Sequence, residues 1–224
     1  MPRNLQNNTA DTRQRLLQAA LKAFGHRDYE AVSTREIVRA ADANISAISY
    51  HFGGKQGLYL ATAEYLAETI HTTMAPHLQH IQQASLTASP QQCRQLLANL
   101  MARLVRNLAL DSITEDAAGL IFREQHHPTE AFEILYKQIF APMHDVISQL
   151  IAKVWGLPAD APEVLTTSHA LFGQVIIFRI GRTTILRRLG LPVFGDSEVR
   201  IITELVTSLA LHSLNHHPLQ EQKS

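Results

Sequence analysis

Residues 33–55 bring hydroxyl, amide and basic side chains to the starts of three predicted helices. Thr34 lies in the first turn of the first helix, Asn44 precedes the second, and Lys55 opens the third. Backbone N–H groups at a helix start are unpaired and carry the positive end of the helix dipole, so they attract anions. Lys55 adds a full positive charge at such a position. These residue types therefore predict the binding of phosphate groups.

Two short helices around a tight turn must position these side chains. Ser33 and Glu36 form a Ser-x-x-Glu capping box, in which each side chain is expected to bond a free backbone N–H at the start of the first helix. Asp42 tolerates the left-handed conformation that a helix stop needs, and Asn44 is a favourable N-cap for the second helix. This order of signals predicts a helix-turn-helix unit whose second helix enters the major groove of DNA.

The N-terminal part of the chain resembles the DNA-binding domain of the TetR (tetracycline-repressor-like) family. The resemblance covers roughly residues 10–65, and it is carried by residues 16–24, by the helix-turn-helix segment and by residues 53–59. Two positions depart from the family pattern. Asp42 stands where the family mostly has Gly, and Ser49 stands where it mostly has Tyr. The departures affect the detail of the contacts and leave the predicted class unchanged.

The start of the second helix in such a motif faces the base edges. The resemblance implies base-reading positions for Ile45, Ser46 and Ala47, and their short or apolar side chains favour thymine methyl groups over Arg–guanine pairs. It also implies phosphate contacts, with Tyr50 supplying the aromatic contact in place of Ser49. The predicted DNA-contact residues are Thr34, Arg35, Asn44, Ile45, Ser46, Ala47, Ser49, Tyr50, His51 and Lys55.

The charge distribution supports the motif only modestly. The 224 residues have a formal net charge of +0, which by itself does not indicate a nucleic-acid binder. Residues 1–55 hold eight Lys and Arg against five Asp and Glu, and the remainder holds twelve against fifteen. A basic N-terminal segment followed by a slightly acidic remainder is consistent with local attraction of the N-terminal segment to phosphate. The alternative interpretation is that Ser33 and Glu36 only cap a helix and that Tyr50 and His51 are ordinary surface residues.

Composition also bears on the compartment. The single Cys93 rules out an internal disulfide and a thiolate zinc cluster from one chain. No signal-peptide pattern is present, and the most apolar stretch, residues 171–185, is interrupted by Arg179 and Arg182. We therefore expect a soluble, cytoplasmic protein without membrane association.

Neither a metal site nor a catalytic site is indicated. The twelve His residues include three close pairs: His77 with His80, His126 with His127, and His216 with His217. None of these pairs has a nearby third ligand at helical spacing. The sequence contains no Ser/His/Asp set, phosphate-binding loop or carboxylate pair with the spacing typical of a catalytic site. We expect no metal, no cofactor and no enzymatic activity.

The whole sequence has helical periodicity and no convincing strand pattern, which predicts an all-α fold of about nine helices. We expect a DNA-binding domain over 1–56, a helical ligand-binding and dimerisation domain over 57–215, and a polar tail over 216–224. The first helix is predicted over about 11–24, with Gly25 as its C-cap.

The longer predicted helices lie in the second domain. The fourth helix is expected over about 55–81, and another over 129–155, where Pro142 should cause a kink because proline removes a backbone hydrogen bond. The last two helices are predicted over 163–189 and 197–214. The boundary between the two domains lies inside the fourth helix.

Aromatic and polar residues of the second domain form a candidate ligand pocket, which is typically apolar with a few placed polar groups. The alternative is that the aromatic residues are ordinary core and that the polar ones face solvent or a partner subunit. The candidate pocket residues are Arg123, His126, Phe132, Tyr136, Phe140, Phe172, Gln174, Phe178 and Arg179.

The last two helices are apolar on more than one face, which exceeds what one core contact requires. The surplus face predicts pairing with the same helices of a second copy, and the family resemblance implies the same four-helix bundle. A central buried helix in a monomer is the alternative. The candidate interface residues are Val175, Ile185, Leu189, Val199, Ile202, Leu205, Val206 and Leu209.

Residues 172–180 and 185–190 are similar to the C-terminal domain of the CerR/CecR-like branch of the family. Together, the two resemblances imply a homodimeric transcriptional regulator, most simply a repressor that leaves a palindromic DNA operator when a small-molecule inducer binds. An activator, or a helical small-molecule-binding protein that retains the same N-terminal domain, is the alternative.

Overall fold

The computed structural model describes residues 3–109 and 114–215, and these residues form an all-α protein, as predicted. A 3₁₀ turn over Tyr29–Ala31 precedes α2, and a π turn over Tyr136–Phe140 joins α7 to α8. The helices are α1 Arg3–His26, α2 Thr34–Ala40, α3 Ile45–Phe52, α4 Lys55–Thr87, α5 Pro90–Ala109, α6 Glu115–His126, α7 Glu130–Leu135, α8 Ala141–Trp155, α9 Pro162–Ile180, α10 Arg182–Leu189 and α11 Asp196–Ser213.

Two of the predicted long helices are interrupted. In the predicted helix over 129–155, the residues before Pro142 adopt the π turn, which absorbs the loss of the proline N–H. The predicted helix over 163–189 is wrong as one rod, because it breaks at Gly181 and the two parts are bent by 64°. A Cβ atom at Gly181 would lie 2.9 Å from the carbonyl oxygen of Ile177. The fourth helix continues to Thr87, six residues beyond its predicted end.

The chain divides into two compact units, formed by the described parts of 1–74 with 113–140 and of 75–112 with 141–224. The first unit therefore contains α6 and α7 in addition to the helix-turn-helix. The predicted limits at 56 and 215, which separate a DNA-binding domain from a ligand-binding and dimerisation domain, remain a prediction. The predicted tail over 216–224 lies outside the described residues.

The first unit is built around a core that α1 shares with α2, α3, α4, α6 and α7. The largest of its fully buried side chains are Leu16, Leu17, Phe24, Ile37, Leu58, Leu120 and Leu135. Because apolar residues from six helices enter one core, α6 and α7 are as much a part of this unit as the three N-terminal helices are.

Helices α1 and α6 cross at two glycines. A Cβ atom on Gly119 would lie 2.1 Å from the carbonyl oxygen of Gly25, and a Cβ atom on Gly25 would lie 2.3 Å from that of Asp116. The prediction of Gly25 as a C-cap is wrong, since α1 continues to His26. The absence of a side chain at Gly25 serves the close approach of α6.

In the second unit, α5 packs against α8, α9 and α11. The ends of these helices are tied by hydrogen bonds to backbone carbonyls: Lys153 donates to Leu86 at 3.0 Å, and both Trp155 Nε1 and Arg94 donate to Leu214 at 3.1 Å. These bonds satisfy carbonyl groups that a helix end leaves unpaired.

Four candidate dimer residues belong to the core of this unit. Val175, Val199, Ile202 and Val206 are at most 6% exposed within one protomer. We correct the predicted interface for these four, because side chains that are already buried have no surface left to offer a partner. Ile185 is half-buried, and Leu189, Leu205 and Leu209 are exposed.

Over the described part of the chain, no helix taken alone has the length and apolarity to cross a bilayer. Only α9 and α10 meet that test of length and composition, and they do so as a pair bent at Gly181.

Candidate DNA-binding site

The turn between α2 and α3 has the geometry that the sequence predicts. Asp42 adopts a left-handed backbone with φ of 48°. The Asn44 side chain accepts a hydrogen bond from the backbone N–H of Ser46 at 3.1 Å, which confirms Asn44 as the N-cap of α3. At its other end, α3 stops at Gly53, which is also left-handed. The length and direction of α3 are thus determined by local caps.

Arg15 of α1 holds the same turn from outside the motif. Its Nε atom donates to the carbonyl oxygen of Ala41 at 3.0 Å, and its Nη2 atom donates to that of Asp42 at 3.4 Å. Asp11 forms an ion pair with the same guanidinium through Nη1. Carbonyls at a helix end need such partners. No local sequence pattern indicates the role of Arg15, because its partners lie 26 and 27 positions away in the chain.

The predicted capping box does not form. Ser33 occupies the N-cap position of α2, but its side chain makes no capping hydrogen bond. Glu36 instead forms an ion pair with Arg27, and the hydrogen bond from Arg27 lowers the pKa of Glu36. The expected box is therefore wrong, since the arginine just after α1 competes with the Ser33 backbone N–H for the carboxylate.

Of the predicted base-reading residues, Ile45 and Ser46 face outward from α3, whereas Ala47 packs partly against the core of the unit. Ile45 is 49% exposed and Tyr50 is 78% exposed, whereas Ile48 is 2% exposed and anchors the inner face. Asn44, Ser46 and Ser49 are exposed as well, and Ala47 and His51 are half-buried. The outward face of α3 therefore consists mainly of residues that are predicted to contact DNA.

The predicted phosphate contacts lie at two further helix starts. Thr34 is the first residue of α2, with Arg35 exposed beside it. Lys55 is the first residue of α4, and its Nζ atom lies 4.3 Å from the centre of the Tyr29 ring. Arg13 of α1 is placed similarly over Phe52, at 5.5 Å. The two cations are therefore held by aromatic rings of the same unit.

Helices α6 and α7 are tied to this unit by polar contacts as well as by the core. Arg123 Nε donates to Asp28 at 2.9 Å, and another guanidinium nitrogen donates to the carbonyl oxygen of Phe24. His26 Nε2 lies 2.7 Å from Asp116 Oδ1. The guanidinium of Arg123, a candidate pocket residue, thus lies at the end of α1.

A buried carboxylate joins α6, α7 and α4. Glu124 is 1% exposed and accepts hydrogen bonds from the Tyr59 hydroxyl at 2.5 Å and from the Thr129 backbone N–H at 2.9 Å. Burial and the bond to Glu124 raise the pKa of Tyr59. No sequence motif indicates this network, whose members are 5 and 65 residues apart.

The remaining candidate pocket residues divide between the two units. In the first unit, Phe132 stacks with Tyr136 at 6.0 Å and with Phe140 at 6.4 Å, and His126 Nδ1 lies 2.8 Å from the carbonyl oxygen of Phe122 in its own helix. In the second unit, Phe172, Gln174, Phe178 and Arg179 are half-buried on α9. Membership of one pocket remains a prediction.

Within residues 3–109 and 114–215, no three His, Cys, Asp or Glu side chains are grouped so that they could hold a metal ion. His216 and His217 lie outside these ranges.

Comparison with known proteins identifies the two parts of the chain. Residues 16–62 match the profile of the bacterial regulatory proteins of the tetR family, and residues 93–216 match the C-terminal domain of the HTH-type transcriptional dual regulator CecR. The HTH-type transcriptional dual regulator CecR of Shigella flexneri is 35% identical over 213 residues, which cover 92% of this chain and 94% of the relative.

Solved structures have the same fold at low sequence identity. A TetR-family regulator from Mesorhizobium loti has a TM-score of 0.57 at 18% identity, covering 92% of this chain and 97% of that one. AibR, solved in complex with isovaleryl coenzyme A and operator DNA, has a TM-score of 0.59 at 16% identity, covering 90% and 97%. The chain belongs to the TetR family of transcriptional regulators, with a C-terminal domain of the CecR type.

Proposed function

We propose that the protein is a cytoplasmic, homodimeric repressor that binds a palindromic operator through α3 and leaves it when a small molecule binds the second unit. The observation that carries the proposal is the outer face of α3. Its capped N-terminal turn presents Ile45 and Ser46 to solvent, and the helix starts at Thr34 and Lys55 provide phosphate-binding groups.

The chemistry of this face favours particular base contacts. Ile45 and Ala47 have no hydrogen-bonding side chain, and Ser46 has only a short hydroxyl that already bonds the Asn44 amide oxygen at 3.1 Å. Such a surface suits thymine methyl groups and close backbone approach, and it does not suit bidentate pairing with guanine. We therefore infer an operator with thymines at the positions next to the N-terminal turn of α3.

The DNA-binding part of the proposal predicts specific enrichment of genomic fragments by the purified protein. Lys55→Ala should weaken binding to every sequence and reduce the slope of log K against log salt by about one unit per protomer, because one phosphate contact is lost. Sequencing of the bound fragments and fluorescence anisotropy over a salt series provide the two measurements. Lys137→Ala, an exposed lysine of the π turn, is the matched control with an unchanged slope. Absence of any enriched fragment would contradict the proposal.

The dimer part rests on exposed apolar side chains of α9 to α11. In α11, Ile201, Leu205 and Leu209 are 58%, 47% and 43% exposed and recur every four residues, in a stripe beside the buried face. Ile177 and Ile180 of α9 are also more than half exposed. A stripe of this kind on a soluble protein marks an interaction surface. We propose that a second copy of the chain covers it through the same helices.

Leu205→Glu should raise the dissociation constant of the dimer at least about tenfold, since each copy would place an unpaired charge in the apolar interface. Analytical ultracentrifugation measures the shift from dimer to monomer. Leu86→Glu, at a 66% exposed leucine of α4, is the matched control and should leave the dimer intact. Equal dissociation constants for both variants would exclude this face from the interface.

The ligand part is supported by polar groups in the second unit. The Gln174 side-chain oxygen and the Ser148 hydroxyl are buried and have no hydrogen-bond partner among the described residues. Nearby on the same two helices, His144 bonds Ser168 at 3.1 Å and contacts the Phe172 ring at 5.5 Å. Unpaired buried polar atoms beside aromatic rings suit a small polar ligand. The AibR neighbour was solved with an acyl coenzyme A, which favours the same class of regulation.

Helix α4 is the proposed route between ligand and operator, because it runs from the predicted phosphate contact at Lys55 to Thr87 in the second unit. A coupling of about 1–3 kcal/mol would change operator affinity by about 5- to 150-fold. The CecR relative is a dual regulator, which favours activation at some promoters as a second candidate function.

A further inference from the structure

We propose that Tyr29 is a positioning residue that holds the Lys55 ammonium group ready to bind a DNA backbone phosphate. The inference rests on the proposed function, in which Lys55 makes that phosphate contact. Tyr29 belongs to no part of the helix-turn-helix itself, and it lies in the 3₁₀ turn before α2.

Lys55 lies at an electrostatically unfavourable place. It is the first residue of α4, and the first turn of that helix contains no acidic residue, so its charge faces the positive end of the helix dipole. The face of the Tyr29 ring, 4.3 Å from Nζ, carries the negative part of the ring quadrupole and offsets this repulsion. The same field at the helix start favours the approach of an anion.

The ring is itself held in place. The Tyr29 ring lies edge-on to Tyr59 at 5.1 Å and stacks with Phe24 at 6.0 Å. Phe24 is fully buried, and Tyr59 donates its hydroxyl to the buried Glu124. Tyr29 therefore offers the lysine a ring face whose position is determined by the core of the unit.

A held ammonium group binds phosphate at a lower entropic cost. A free lysine side chain loses much of its rotamer freedom when it is fixed by a partner. Lys55 is half-buried, with its ammonium group already over the ring. An ammonium group has three N–H donors, and one ring face leaves donors directed away from the ring. A phosphate oxygen and the ring can thus be bound together.

A double-mutant cycle tests the proposal, with a random-sequence DNA duplex as the probe, because phosphate contacts do not depend on sequence. Tyr29→Leu should weaken binding by about two- to fivefold per protomer at low salt. In the Lys55→Ala background, Tyr29→Leu should have no further effect, since the ring then has no ammonium group to hold. Tyr29→Phe should bind as the wild type does, because it retains the ring.

Matched controls separate positioning from stability. Tyr65→Leu removes another partly buried tyrosine that packs against the same core, and it should lower the melting temperature without coupling to Lys55. Equal losses for Tyr29→Leu in both lysine backgrounds would overturn the proposal, as would tighter binding by Tyr29→Leu or wild-type affinity of Lys55→Ala. Failure of the proposed function would show differently: the wild type would enrich no genomic fragment, while the cycle on the random duplex would still report the coupling.

Discussion

Gly119→Ala should lower the free energy of unfolding by about 3 kcal/mol, because a Cβ atom there would lie 2.1 Å from the backbone oxygen of Gly25. Backbone atoms cannot rotate away as a side chain can, so α1 and α6 must separate. The separation would disturb the core around Phe24 and Leu120, which are fully buried. The gain in helix propensity from glycine to alanine, about 1 kcal/mol, offsets only part of the loss.

Urea denaturation followed by far-UV circular dichroism measures this effect. Gly173→Ala is the matched control, because Gly173 lies within α9 and a Cβ atom there would meet nothing within 4 Å. The same substitution should then stabilise the protein by about 0.5–1 kcal/mol through helix propensity alone. Stability changes of the same sign at both glycines would show that the close crossing is not what requires Gly119.

Glu124→Ala should lower the free energy of unfolding by about 3 kcal/mol, which is the second large effect that we expect. The substitution leaves the Tyr59 hydroxyl and the Thr129 backbone N–H without their acceptor in a buried place. It also removes the polar link between α4 and the connection from α6 to α7. A cavity left by the carboxylate adds to the loss.

The experiment compares Glu124→Ala with Glu133→Ala, an exposed carboxylate of α7 whose removal should change stability by no more than about 0.5 kcal/mol. Adding Tyr59→Phe to Glu124→Ala should restore part of the lost stability, since the unpaired hydroxyl is then absent. Additive losses from Tyr59→Phe and Glu124→Ala would show that the hydrogen bond between them contributes nothing.

Local signals in the sequence were sufficient for the turn of the helix-turn-helix and for the N-cap of α3. Asp42 and Asn44 determine a turn and a cap through their own backbone and side-chain preferences, and the structure has both as predicted. The exposed face of α3 follows from helical periodicity once Ile48 is recognised as its buried residue. These features depend on residues within a few positions of one another.

Local sequence signals did not predict contacts between residues that are distant in the chain. Glu36 has the spacing of a capping box, yet Arg27 takes its carboxylate. Gly25 has the sequence context of a C-cap, but in the structure it allows the close crossing of α1 and α6. Its neighbour there is Gly119, which lies 94 positions later in the sequence. Arg123 is a candidate pocket residue, and its guanidinium bonds Asp28, 95 positions earlier in the chain. In each case, tertiary packing supplied a partner that no periodicity indicates.

The interface prediction shows a related limit. Helix α11 is apolar on two faces, and its sequence does not distinguish the face that closes the protomer from the face that remains open. The structure assigns Val199 and Val206 to the protomer core and leaves Leu205 exposed. Only the packing of α11 against α5 made this distinction.

The burial of Cys93 has a consequence for the kind of signal that this regulator can receive. Cys93 is the only thiol of the chain, it is fully buried in α5, and burial raises its pKa. Peroxides and disulfides react with the thiolate, which is scarce for such a group. Oxidative stress sensed through this sulfur is therefore disfavoured, and the protein should keep its properties in air without a reducing agent.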